Sequence, residues 1–449
     1  MRKINLLAAT ACLALAAAPV LAETVAITHA RLLTSAPAGE IAQGTIVIRD
    51  GKIAAVGAKV EIPKDARIID GQGSVVSPGL FATASMIGAV EVNAVGSDLS
   101  VSNPAIGPAF DLQYGLDPAS TLIPVARLGG LTSAVVLPET ANGYEGDEDE
   151  GEDLTAGGGK EPPHAGGIFA GQGVVIHLDG QPDIVTKAGV GMVTSFGRSG
   201  ARLSGGARGG EFSALQATLA DVRDYMKNRA AYETAGYREL GLSKADLDAL
   251  VPVVQGRTPV IAVVHRASDI RAVLKWAKTE KLKLILEGAE EGWMVASEIA
   301  QAGVPVVISP TADRPETFEA LASTLENAAR LNAAGVLVAL EGPEGNSHRA
   351  KETRYGAGNA VAHGMPYSAA LAAITINPAR IFGVADRTGS LEVGKDADLV
   401  IWSGDPLEPL SQTKAVFIRG VSQPMTSRQT ELRDRYKDLS RPLPPGYSH

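Results

Sequence analysis

Pro259-Val260-Ile261-Ala262-Val263-Val264 is the stretch on which the fold turns: every side chain is apolar and no residue marks a solvent face. Such a run reads as a strand buried on both sides, and its proline stands first, where a missing N–H is tolerated. Residues 269–279 follow with Ile270, Val273, Leu274 and Ala277 at the i, i+3, i+4, i+7 spacing of an amphipathic helix. The unit then repeats. Strands at 282–286, 304–308 and 336–340 alternate with helical patterns at 293–302 and 317–334. Alternating apolar strands and amphipathic helices predict an α/β fold with a parallel sheet covered by helices. The middle of the chain is long enough for a closed barrel or an open sheet, and periodicity does not choose between them.

Outward from this middle the texture changes to short β-runs and turns. Thr45-Ile46-Val47-Ile48-Arg49, Asp50-Gly51 and Lys52-Ile53-Ala54-Ala55-Val56 predict a hairpin, because Asp-Gly accepts the positive φ values of a type I′ turn. The same texture returns at Leu399-Val400-Ile401-Trp402 and Ala415-Val416-Phe417-Ile418. Two β-rich ends around an α/β centre predict one small β-sandwich made from both termini, 23–78 with 387–424. The barrel-like centre would then be 79–386, and a charged helix and tail would fill 425–449.

Arg2 and Lys3, the apolar run after them, and Val20-Leu21-Ala22 have the three parts of a secretory signal peptide cut near Ala22. The expectation is a periplasmic or secreted protein with no membrane span in its mature part. Cys12, the one cysteine, lies in that segment, so a disulfide framework and a cysteine-ligated zinc are both excluded. A net charge of −9 repels phosphate backbones, and 4% aromatic residues leave few platforms for stacked bases, so no nucleic-acid partner is expected. Residues 139–166 form an insertion whose core, 145–153, holds seven carboxylates in nine positions and reads as a solvated loop. Residues 199–210, with Arg202 and Arg208 among glycines and serines, read as a mobile loop over the barrel mouth. Glu290 and Glu291 read as the solvated first turn of a helix.

Several stretches together resemble the amidohydrolase superfamily, in its exported imidazolonepropionase-like branch. They are Asp50-Gly51-Lys52-Ile53, Val76-Ser77-Pro78-Gly79-Leu80, Ala302-Gly303-Val304-Pro305-Val306, Thr375-Ile376-Asn377-Pro378-Ala379 and Gly389-Ser390-Leu391-Glu392-Val393-Gly394-Lys395-Asp396-Ala397-Asp398. The resemblance implies a (β/α)8 TIM-type barrel with the two-ended sandwich. It also implies hydrolysis of non-peptide C–N bonds, amide or cyclic amide, by a water activated on a divalent metal such as zinc.

The ligand pattern departs from the resemblance. Its His-x-His pair falls on Ala84 and Met86, which hold no such ion. Its fifth-strand histidine falls on His265, its sixth-strand histidine on Glu287, and its eighth-strand aspartate near Pro343. The metal candidates are therefore His265 and Glu287, with the zinc expected only if the family mechanism survives. Catalytic candidates are His265 as base or ligand, Glu287 as its partner, and Glu341 or Glu344 as a substitute acid. His348, Asn346 and Arg349 are the substrate-contact candidates, since they lie in a loop after a barrel strand. The sequence supports two functions: a hydrolase with an atypical or depleted metal site, or an inactive barrel that binds a small molecule or protein. A small-molecule ligand fits both, and a homo-oligomer is compatible with either.

Overall fold

The structure is a computed structural model that describes residues 23–91, 98–101, 103, 106–140, 165–342, 347–438 and 440. The expected signal segment, the acidic run 145–153, Glu344, Asn346 and the tail beyond 440 lie outside the described residues. Among the described residues no helix is long and apolar enough to cross a membrane.

The chain opens with β1 (Val25–Leu33), β2 (Glu40–Arg49), β3 (Lys52–Gly57), β4 (Arg67–Asp70) and β5 (Val75–Pro78). The barrel strands are β6 (Leu80–Ser85), β7 (Leu131–Val136), β8 (Phe169–His177), β9 (Val185–Ser195), β10 (Val260–Val264), β11 (Leu284–Gly288), β12 (Val306–Ile308) and β13 (Val338–Leu340). The chain returns to the first sheet with β14 (Leu399–Trp402), β15 (Thr413–Ile418) and β16 (Val421–Ser422). The helices are α1 (Leu122–Leu128), α2 (Gly197–Leu203), α3 (Arg208–Glu233), α4 (Lys244–Val254), α5 (Ala267–Glu280), α6 (Ala296–Ala302), α7 (Asn327–Ala333), α8 (Thr353–Ala362), α9 (Tyr367–Ala373), α10 (Ile376–Ile381) and α11 (Arg428–Tyr436).

Both ends build one eight-stranded sheet, ordered β16-β15-β14-β5-β1-β2-β3 with β4 paired to β1. Its strands close on an apolar cluster that takes Ile27 from β1, Ile48 from β2, Ile401 from β14 and Phe417 from β15. The β2–β3 turn is the one the sequence dictates. Asp50 and Gly51 have φ of 53° and 76°, a pair only residues tolerant of the left-handed region adopt without strain.

The central eight strands run in sequence order from β6 to β13, giving a nearly closed TIM-type barrel. Every strand contributes to a single interior cluster, which includes Phe81, Val135, Val175, Val193, Ile261, Ile285, Val307 and Ala339. Phe382, just after α10, joins them. Lys187, near the start of β9, donates to the carbonyls of Phe382 and Gly383, so this segment plugs the N-terminal end. The opposite, C-terminal end is left as the mouth, where barrels of this kind carry their sites.

Three local expectations change. The sheet is not parallel throughout, because β8 is antiparallel to both β7 and β9. The short turn before β9, with Gly180 at φ 75° and the Asp179 carboxylate accepting from the Gln181 N–H, can only join antiparallel neighbours. Residues 199–210 are not a mobile loop but the end of α2 and the start of the 26-residue α3. The helix expected over 317–334 shrinks to α7, because residues before it are held as a loop: Trp293 donates its indole N–H to the Ala322 carbonyl at 2.8 Å.

Candidate active site

Period-two alternation builds the mouth. Ser195, Val263, Glu287 and Val307 lie level across four neighbouring strands, two residues above the interior positions Val193, Ile261 and Ile285. Glu287 is thus an acid in the upper barrel layer, level with valines on either side. His265 follows β10 two residues beyond Val263, and Ser309 and Glu341 follow β12 and β13 at equivalent places.

After β11 the chain doubles back. Gly288 and Ala289 have φ of 83° and 48°, and this left-handed pair turns Glu290 toward the preceding strand. The Ala289 N–H donates to the Val264 carbonyl and the Glu291 N–H to that of His265, locking the two strand ends together. The product is a hydrogen bond of 2.6 Å between His265 Nδ1 and Glu290 Oε2. Burial opposes the charge on Glu290, but the imidazole beside it wins and holds the carboxyl below its ordinary range. Glu291 is not solvated either: its carboxylate accepts from the backbone N–H of Ala267 and of Ala322. Sequence reading missed both acids because a carboxylate in a first helical turn usually faces water.

His265 and Glu290 form part of the wall of a cavity of about 580 Å³, a size suited to a small metabolite. Ser309, Thr311, Asp313, Arg314, Glu341, Arg349 and Asn359 contribute polar surface. Of the sequence candidates, His265, Glu341 and Arg349 meet in this cavity, Glu341 being 8% exposed. Arg349 spends its guanidinium on Glu352, at 2.9 Å. His348 is exposed and outside the cavity wall, and Glu287 lies a layer below it.

Beside the cavity, an acidic cluster anchors the loop that forms its roof. Glu319 accepts from the Arg198 N–H and pairs with Arg208, which also reaches Asp269 at 3.1 Å. Beneath them Glu211 is fully buried, and neither of its oxygens has a well-formed hydrogen bond. Burial, with Asp269 and Glu319 adding like charge against Arg208, pushes its carboxyl up to about 8.

A divalent metal of the kind the resemblance implies would need several side-chain ligands gathered at this mouth. Among the described residues no group of three or more His, Cys, Asp or Glu is arranged to hold one. Ala84, at φ 51°, has no donor atom, and Met86, just after the first barrel strand and packed against the main core, has only a soft thioether. What the site does offer is an imidazole oriented by a largely buried carboxylate, with hydroxyls and a guanidinium nearby.

Residues 207–425 match the amidohydrolase family. Over 414 residues, 85% of this chain, the sequence is 23% identical to the amidohydrolase tasK of Hapsidospora irregularis, of which it spans 40%. A 60-residue stretch is 48% identical to the 5'-deoxyadenosine deaminase of Methanosarcina mazei, covering 14% of that protein. In three dimensions the chain is similar to an amidohydrolase from Thermotoga maritima, with 26% identity and a TM-score of 0.75 over 89% of this chain and 99% of the other.

Proposed function

We propose that this chain is an amidohydrolase-family protein and an exported hydrolase of non-peptide C–N bonds whose proton chemistry runs on the His265–Glu290 pair. The single observation that carries the reading is the 2.6 Å contact between His265 Nδ1 and Glu290 Oε2 in the wall of the mouth cavity. A carboxylate on Nδ1 fixes the imidazole tautomer and orientation and stabilises the imidazolium, and Nε2 is the atom assigned here to exchange protons with substrate and water.

Nε2 takes a proton from water as its oxygen attacks the carbonyl carbon, and the carbonyl becomes a tetrahedral oxyanion. The Ser309 and Thr311 hydroxyls and the Arg314 guanidinium in the same wall are the donors that can face that oxyanion. The imidazolium then returns its proton to the leaving nitrogen, the C–N bond breaks, and a carboxylic acid and an amine leave. General-base catalysis of this kind contributes about 10²–10⁴-fold. The atypical metal site belongs to the same proposal: Ala84 and Met86 stand where the resemblance expects histidines, and no step here passes through an ion. Export rests on the leader-like pattern of residues 1–22.

The test is hydrolysis of a panel of acyclic and cyclic amides by the purified full chain and its His265→Ala and Glu290→Gln variants. Turnover that falls by about 10²-fold in His265→Ala supports the proposal. Turnover equal in all three proteins would take the chemistry away from this pair, and none with any amide while small molecules still bind in the cavity would mean a binding module instead.

A further inference from the structure

On the far side of the barrel from the mouth lies a second cavity of about 580 Å³, between α1, the β8–β9 turn and the β15–β16 hairpin. Its walls include Ser120, Arg127, Asp179, Arg419, Ser422 and Gln423. Arg127, in the last turn of α1, is 7% exposed. One nitrogen, Nη1, donates to the carbonyls of Leu178 and Asp179 at 3.4 and 3.3 Å and to Gln423 Oε1 at 2.8 Å. Its Nε is buried and has no acceptor. Among the described residues no carboxylate stands within ion-pair distance of it.

That arrangement is costly as it stands. A guanidinium taken out of water needs an anion or a full set of acceptors, and neutral carbonyls on one nitrogen supply neither. Asp179, the nearest acid in the wall, is committed elsewhere. One of its oxygens accepts from the Gln181 N–H and the other lies 3.2 Å from His177 Nε2. Arg419 adds a second positive charge from the β15–β16 turn, where its backbone N–H is pinned to Asp398 at 2.8 Å. Two cations against one engaged acid make this wall positive in a chain whose net charge is −9.

We propose that this cavity is a binding site for a small carboxylate, held by the guanidinium groups of Arg127 and Arg419 in its wall. The planar fork of a guanidinium matches a carboxylate with two parallel hydrogen bonds. Ser120 and Ser422 are placed in the wall to meet the rest of such a molecule. Because the site joins the terminal sheet to the N-terminal face of the barrel, its ligand acts on stability rather than on turnover. The amide hydrolysis proposed for the mouth plays no part in it.

Titration calorimetry and thermal unfolding of the full chain with succinate, inorganic phosphate and sodium chloride at matched ionic strength test the site. Saturable binding of succinate with a raised Tm is expected, weakened by about tenfold or more in Arg127→Gln and in Arg419→Gln. If Arg127→Gln does not fold, Arg419→Gln alone decides. No saturable succinate binding, equal binding in the variants, or saturation by phosphate but not succinate would overturn the proposal.

Discussion

Gly288 lies against the ring of His265 so closely that a Cβ at Gly288 would stand 2.6 Å from His265 Nδ1. The glycine is needed twice over: its φ of 83° belongs to the left-handed region, and its missing side chain leaves room for the imidazole that Glu290 must reach. The site is therefore written into the backbone at the end of β11 as much as into its side chains.

Gly288→Ala should lose the His265–Glu290 bond while the barrel stays folded. The substitution adds about 1–3 kcal/mol of backbone strain and forces the ring aside. Turnover should drop with only a modest fall in Tm. A variant as active as the parent would mean that the pair's geometry is not what the reaction needs.

Glu290→Gln keeps a hydrogen-bond acceptor for Nδ1 and removes the charge. The carboxylate favours the imidazolium, so without it the ring gives up its proton more readily. The acid limb of the pH–rate profile should move to lower pH, and the rate at the plateau should fall about tenfold or more. A profile that falls in height without moving would assign Glu290 a packing role.

Glu211 sets a pH dependence of stability. Its folded pKa of about 8 lies above the usual value for an exposed glutamate, so the folded state holds a proton that the unfolded chain releases. Stability from this group is whole in mild acid, declines as pH rises past 4.5 and levels off above about 8. Glu211→Gln should leave stability at pH 5 little changed and raise it by up to a few kcal/mol at pH 8, at ~1.4 kcal/mol per pKa unit. Denaturant unfolding at the two pH values measures the difference. Equal effects at both would show that Glu211 is ionised in the fold.

Trp402 ties the terminal sheet to the barrel. It is fully buried, donates its indole N–H to Ser77 Oγ at 2.9 Å, and lies so near Gly130 that a Cβ there would stand 2.3 Å from the ring. Trp402→Ala should cost about 3–5 kcal/mol, read from chemical denaturation. A loss below about 1 kcal/mol would show that the two units are stable without this contact.

Much of the fold was legible because its signals are local. The apolar runs of β10 to β13 and the Asp-Gly turn after β2 need no knowledge of the rest of the chain. The reversal of β8 depends on a short turn whose Asp179 and Gly180 look like any surface loop, so strand direction was not readable. The site divides in the same way. His265 and Glu341 stand at strand ends, where alternation alone puts them at the mouth. Glu290 comes to His265 only because Ala289, no usual left-handed residue, follows Gly288 into positive φ. Glu211 sits in a helix whose sequence shows a solvent-facing acid, and only tertiary packing buries it.

The most direct test of the His265–Glu290 account is the rate of amide hydrolysis by the purified chain before and after exhaustive dialysis against a chelator. The account predicts a rate unchanged by chelation and unaffected by added zinc. A rate abolished by chelation and restored by zinc would contradict it and return the chemistry to a metal.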